Sequence, residues 1–193
     1  GGKTKPGEHV LRAKINMSSP NMLMRDPVIY RSMISNHHRT GDAWKIYPMY
    51  DWTHGESDYI EQVSHSLCTL EFEPHRELYD WFLDSIGPLK GVRPKQRAFS
   101  RLNLSYTITS KRNLARLVEE NLVDGWDDPR MPTISGLRNR GYSPESLKMF
   151  ALTVGVSKRE SVIDVSLLEF CARAHLNEVA PRAMAVINPL KLT

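Results

Sequence analysis

The chain has 193 residues, 40% of them hydrophobic and 25% charged, a balance that excludes a disordered tail, collagen and a membrane span. Its net charge of +4 is unevenly spread: residues 1–50 carry +5, 51–100 carry −4, and 101–150 and 151–193 carry +2 and +1. Basic flanks around an acidic centre suit a polyanion held at more than one place, with ordinary surface charge as the alternative. Cys68 and Cys171 stand outside any metal-type spacing. That disfavours a disulfide framework or a zinc site and fits a reducing, cytoplasmic setting. The opening Gly1-Gly2-Lys3-Thr4-Lys5 carries no leader pattern and reads as a start inside a longer protein.

In chain order, Leu11, Ala13 and Ile15 alternate with Arg12, Lys14 and Asn16, which predicts a half-buried strand over 10–15 showing basic groups. Thr40-Gly41-Asp42 marks a turn, and residues 45–48 a short strand stopped by Pro48. Residues 51–65 read as a polar helix with Tyr59 and Val63 on one face, and 67–72 as a strand. Over 76–86, Leu78, Phe82 and Ile86 recur at i+4 beside Trp81, a helix signature. After a loop over 87–94, Leu102, Leu104, Tyr106 and Ile108 alternate with Asn103, Ser105, Thr107 and Thr109, the cleanest strand pattern in the chain. It stops at Ser110-Lys111, where a helix through Leu114, Leu117 and Val118 begins. Further helices are expected over 143–152, with Ser143 as cap and Pro144 in the first turn, over 165–176 and over 181–186. Strands alternating with helices to residue 120, then helices alone, predict an α/β half-domain joined to a helical subdomain.

The chemistry legible from single residues is limited. Ser110-Lys111, at a strand-to-helix junction, offers a hydroxyl, an ammonium and a helix N-terminus as a phosphate cradle, with a solvated turn as the alternative. There is no glycine-rich Walker loop. His37, His38, His54 and His65 lack partners at ligand spacing and read as hydrogen-bonded structural histidines. Asp127-Asp128-Pro129-Arg130 reads as a cap and salt-bridge corner, and Cys68 as a small core residue.

Five longer motifs stand in series: Tyr47-Pro48-Met49-Tyr50-Asp51, His65-Ser66-Leu67-Cys68-Thr69-Leu70-Glu71-Phe72, Ser100-Arg101-Leu102-Asn103-Leu104, Gly125-Trp126-Asp127-Asp128-Pro129-Arg130-Met131-Pro132-Thr133 and Ala180-Pro181-Arg182-Ala183-Met184. Together they resemble the glutaminyl-tRNA synthetase family, class I aminoacyl-tRNA synthetases related to the glutamyl enzymes. The resemblance covers nearly the whole chain in the right order. It implies an α/β fold: the second half of a class I Rossmann-type nucleotide-binding fold, with part of an acceptor-stem-binding insertion and a following helical subdomain. Residues 1–42 would end the insertion and 43–110 would form the Rossmann half. Residues 111–177 would be the helical connecting subdomain, and 178–193 the start of the anticodon-binding barrel.

The implied activity is ATP-dependent formation of glutaminyl adenylate and transfer of glutamine to the 3′ end of its tRNA. ATP, with Mg2+, is then a substrate; tRNA and glutamine are the other partners, and neither a protein-bound metal nor a membrane is involved. Thr109-Ser110-Lys111 corresponds to the family's Met-Ser-Lys loop, with Ser110 and Lys111 catalytic at the ATP phosphates. The resemblance assigns Thr69, Arg101, Leu102, Thr109, Ser110 and Lys111 to ATP, and Tyr50 and Cys68 to glutamine. It assigns Ser157, Lys158, Arg159, Glu160, Ser161, Val162, Ile163, Asp164 and Arg182 to tRNA. Glutamyl enzymes generally place an arginine where Cys68 stands, to pair with a substrate carboxylate; a neutral thiol there points to glutamine. The alternatives are a glutamyl-tRNA synthetase and a non-catalytic tRNA-binding module derived from a synthetase.

The sequence departs from the family pattern at Thr109, usually methionine, and at Trp52, commonly phenylalanine. At Pro74 better-known members present a polar or acidic group to the acceptor-stem minor groove. The His-Ile-Gly-His-type signature is expected to precede residue 1 and most of the barrel to follow residue 193, so the chain alone is expected to be inactive.

Overall fold

The computed structural model describes residues 5, 7–87 and 90–191. Parts of the expected chain opening, of the loop over 87–94 and of the barrel segment lie outside the described residues. The chain forms two compact units, Gly1–Arg101 and Leu102–Thr193, each mixing strands with helices.

The first unit opens with an antiparallel sheet of β1 (Val10–Arg12), β2 (Val28–Ser32) and β3 (Ile46–Pro48), in that spatial order. β1 is exposed along its length, Leu11 included, which corrects the expected half-buried strand over 10–15. The register slips between Leu11 and Arg12, and the strand ends there. Asp26 then takes over: its carbonyl accepts from the Arg12 guanidinium at 2.7 Å and its carboxylate from the Ile15 N–H at 2.7 Å. Ala13 and Ile15 turn inward onto Met24, Leu78 and Phe82, so the apolar face begins only where the ladder stops.

α1 (Tyr50–Ile60) is shorter than the expected helix over 51–65 because Gln62 adopts a left-handed φ of 59°, which ends helical propagation. His65 therefore belongs to β4 (His65–Thr69), which pairs in parallel with β5 (Lys95–Phe99) across α2 (Arg76–Ser85). The expected strand over 67–72 ends at Thr69, since its partner ends at Phe99 and offers no further ladder. Leu70–His75 instead wind into a 3-10 turn. α2 buries Leu78, Tyr79, Phe82 and Leu83, each worth about 1.5–3 kcal/mol of apolar burial. Ile86 lies beyond the last turn and is exposed, contrary to the expected i+4 stripe.

In the second unit β6 (Leu102–Leu104) pairs in parallel with β7 (Ser161–Ile163). The expected strand over 102–109 stops at Leu104. Ser105 donates its N–H to the Ile163 carbonyl at 2.8 Å and accepts the Val165 N–H on Oγ at 3.0 Å, and Tyr106 turns out at φ 53°. Four helices follow: α3 (Lys111–Glu119), α4 (Ile134–Arg140), α5 (Pro144–Val154) and α6 (Val165–Val179). Ser143 caps α5 by accepting the Ser146 N–H at 3.1 Å, with Pro144 in the first turn, as expected. α5 and α6 close on Phe150, Leu168 and Cys171, with Leu104 and Ile163 from the strands packed against them. The expected helix over 181–186 does not form. Ala180 is extended at ψ 137° before Pro181, as a residue preceding proline prefers, and residues 181–191 are exposed.

Candidate functional site

The inner face of the β4–β5 pair is chemically unusual. Its buried residues are Ser66 and Cys68 on one strand and Gln96 and Ala98 on the other, with Leu67 turned outward. This face carries small and polar side chains where a core facing would carry branched apolar ones. Ser66 stands in register with Gln96 and Cys68 with Ala98. Gln96 is 5% exposed, and its Oε1 is buried without a hydrogen-bond partner among the described residues, a costly arrangement in a fold. The sequence reading missed it, because Lys95-Gln96-Arg97-Ala98-Phe99 shows no apolar alternation.

A hydrogen-bonded chain runs along this face from α1. Tyr50, the first residue of α1, places its hydroxyl 3.2 Å from Nδ1 of His54, one turn on. His54 Nε2 lies 3.3 Å from Asp58, another turn on. Asp58 accepts from the Ser66 hydroxyl, and the Tyr79 hydroxyl lies 2.6 Å from Ser66 Oγ. The i, i+4, i+8 spacing puts all three α1 groups on one face, so His54 is hydrogen-bonded as expected. Gly55 lets α2 approach: a Cβ there would stand 3.1 Å from the Tyr79 ring.

Tyr50 and Cys68 are electrostatic neighbours. Burial raises the Tyr50 phenol above its ordinary value, and Cys68, Asp51, Asp58 and Glu71 push it further the same way. Burial likewise raises the Cys68 thiol, with Arg76 opposing and Glu73 assisting. Both groups are thus held in their neutral, protonated forms. Cys68 Sγ sits 3.8 Å from the Arg97 carbonyl. Thr69 and Arg101 lie at or just beyond the carboxyl ends of β4 and β5, where ligands sit in parallel sheets. Thr69 Oγ1 donates to Glu71 at 3.0 Å, and Arg101 is exposed.

In the second unit, Leu102 pairs with Ser161, joining a residue assigned to ATP to the segment assigned to tRNA. Ser110 occupies the N-cap of α3 without a side-chain capping bond, Lys111 is the first helical residue, and Thr109 precedes them. The first turn has no acidic residue; it opens on Lys111 and Arg112, both exposed. Cations at the positive end of a helix dipole are unfavourable until an anion joins them. Within 157–164, Ser157 Oγ accepts the Arg159 N–H at 2.9 Å, and Lys158, Glu160 and Val162 are exposed. Ile163 packs inward, and Asp164 caps α6 by accepting the Ser166 N–H at 2.9 Å, a bond that lowers its pKa. Arg182 donates to the Asn177 carbonyl at 2.8 Å.

The Gly125–Thr133 motif is a structural corner, as its residues suggested. Asp128, with a side chain 1% exposed, accepts from the backbone N–H groups of Asp124 and Arg130 and from the Arg130 guanidinium. Those contacts, the guanidinium first, hold its carboxyl well below the usual carboxylate range. Thr133 caps α4 by accepting the Gly136 N–H at 2.9 Å. A Cβ on Gly136 would stand 2.6 Å from the Asp128 carbonyl oxygen and closer still to that of Met131.

Residues 1–178 match the family of tRNA synthetases class I (E and Q), catalytic domain. The chain belongs to that family. It is 60% identical to a glutamine–tRNA ligase of Ralstonia pickettii over 99% of this chain and 34% of that protein. Against the glutamine–tRNA ligase of Neisseria gonorrhoeae it is 59% identical over its full length, and against that of Pseudomonas putida 58% over 99%. The chain spans about a third of the length of these curated relatives. For this synthetase-family chain, among the described residues, no three His, Cys, Asp or Glu side chains gather as metal ligands, and no helix is long and apolar enough to cross a membrane.

Proposed function

We propose that this chain is the central part of a cytoplasmic glutamine–tRNA ligase, which activates glutamine with ATP and Mg2+ and transfers it to the 3′ end of tRNA. The observation that carries the reading is the Tyr50 hydroxyl 3.2 Å from His54 Nδ1, with the protonated Cys68 thiol as its electrostatic neighbour. With Asp58 accepting from His54 Nε2–H, Nδ1 accepts the Tyr50 hydroxyl proton. The phenol lone pairs are then free to accept from an N–H. A carboxamide supplies that donor; a carboxylate does not. Cys68 offers the carboxylate no cation in compensation, so glutamate is excluded both by what the site requires and by what it withholds.

Parallel β4 and β5 around α2 fit the second half of a Rossmann-type fold over 43–110, with 1–42 as the end of an acceptor-binding insertion, 111–177 as a connecting subdomain and 178–193 opening an anticodon-binding barrel. Thr69, Arg101, Leu102 and Thr109 hold ATP. Ser110 and Lys111, at a helix start whose first turn has no acidic residue, stabilise the charge that gathers on the departing pyrophosphate. The segment 157–164 and Arg182 meet tRNA, with Lys158 and Arg159 supplying the attraction to phosphates.

The test is a chimera in which this chain replaces the matching segment of one of its relatives. It should charge tRNA with glutamine at a kcat/KM at least about 10²-fold above that for glutamate. Equal use of the two amino acids would refute the assignment.

A further inference from the structure

The Tyr50 ring is flanked by a circuit that the chain of hydrogen bonds through His54 does not include. The ring packs against Phe72 at a tilt of 42° with centroids 4.7 Å apart, and Phe72 meets His75 edge-on at 5.3 Å. His75 Nδ1 then reaches Oδ1 of Asp51 at 2.7 Å, and Asp51 is the residue next to Tyr50 in the first turn of α1. The contacts therefore close on themselves: Tyr50, Phe72, His75, Asp51 and back through one peptide bond. The His75 and Asp51 side chains are only 24% and 28% exposed, so the bond is partly shielded from water and stronger than a surface pair.

The geometry points to His75 as a positioning residue for Tyr50: by fixing Asp51 and the edge of Phe72 together, it sets the plane in which the phenol meets the amino-acid side chain. This rests on the reading of Tyr50 as a glutamine contact. The 3-10 turn carrying Phe72 and His75 has a separate anchor, since Asn21 Nδ2 donates to the Pro74 carbonyl at 3.2 Å and to Glu77 at 2.8 Å. Loss of the His75 bond therefore loosens the ring circuit while leaving the turn attached. A side chain that only orients a binding group changes ground-state and transition-state affinity together, which appears in KM rather than kcat.

Two variants in the chimera separate the two contacts of the imidazole. His75→Leu keeps bulk against Phe72 and removes the N–H; His75→Asn carries an N–H at the place of Nδ1. His75→Leu should raise the KM for glutamine about tenfold while kcat and the KM for ATP stay within about threefold, and His75→Asn should restore the glutamine KM to within about threefold of the unsubstituted chimera. In a Tyr50→Ala background, His75→Leu should add less than about twofold, because the two act as one unit. An unchanged glutamine KM in His75→Leu, a parallel rise in the ATP KM, or full additivity with Tyr50→Ala would overturn the proposal. If Tyr50→Ala itself left the glutamine KM unchanged, the reading of Tyr50 would fall and the role of His75 with it. A chimera unable to use glutamine at all would refute both at the earlier step.

Discussion

The Tyr50 hydroxyl lies 3.2 Å from His54 Nδ1. With Nδ1 as the acceptor, as the proposed reading requires, the phenol proton points to His54 and the oxygen's lone pairs are left to accept. Tyr50→Phe in the chimera should lower kcat/KM for glutamine by about 10–100-fold, the loss of one hydrogen bond to a desolvated polar group. It should lower the value for glutamate much less. Steady-state charging with each amino acid measures both, and an equal loss for the two would contradict an acceptor role.

Lys111 and Arg112 place two cations in the first turn of α3 with no acidic residue to offset them. If Lys111 meets the leaving pyrophosphate, Lys111→Ala should slow charging by about 10²–10³, as for loss of one preorganised charge donor. The rate under saturating glutamine and tRNA is the readout; a value within about threefold of the unsubstituted chimera would remove Lys111 from the chemistry.

The Asp128 carboxylate is depressed in pKa by the Arg130 guanidinium first and by two backbone N–H groups next. A carboxylate whose folded pKa lies below its unfolded value stabilises the fold at pH above that unfolded value, here the ordinary 3.8, and the contribution fades as pH falls through the folded pKa. Asp128→Asn should therefore lower the Tm of the chain at pH 7, with the gap to the unsubstituted chain narrowing below the ordinary carboxylate range. Thermal melts at pH 7 and pH 3 test the sign; a gap that widens in acid would reverse it.

Much of this was readable in the residues. The corner at Asp128, the Ser143–Pro144 cap, the strand closed by Pro48 and the helix start at Lys111 depend on local chemistry, and the structure has each of them. Errors arose where a distant partner decides. The alternation through Ile108 fails because Ser105 is claimed by Ile163 and Val165, sixty positions away in the case of Val165. β5 was missed because its inward residues are Gln96 and Ala98, one polar and one small, which leave no apolar alternation. β7 is three residues long and exists through its pairing with β6. The pairing of His75 with Asp51 spans 24 positions and leaves no periodic trace.

Gly136 meets two backbone carbonyls where any Cβ would be, and neither can yield without breaking the Asp128 corner. Gly136→Ala should destabilise the chain by about 2 kcal/mol or more, the upper part of the range for overpacking. Urea unfolding at constant m-value measures it; a change below about 0.5 kcal/mol would mean that the corner relaxes.

The neutral thiol of Cys68, an electrostatic neighbour of Tyr50, is the centre of the account, and Cys68→Arg tests it most directly. A guanidinium there has no anionic partner in a carboxamide, and a desolvated unpaired charge is costly; a carboxylate would supply that partner. The ratio of kcat/KM for glutamine to that for glutamate, measured by charging of tRNA in the chimera, should fall by about 10²-fold or more on this substitution. A ratio unchanged within about threefold, in a variant that still folds and charges, would show that Cys68 only fills space on the β4–β5 face and that selection lies elsewhere.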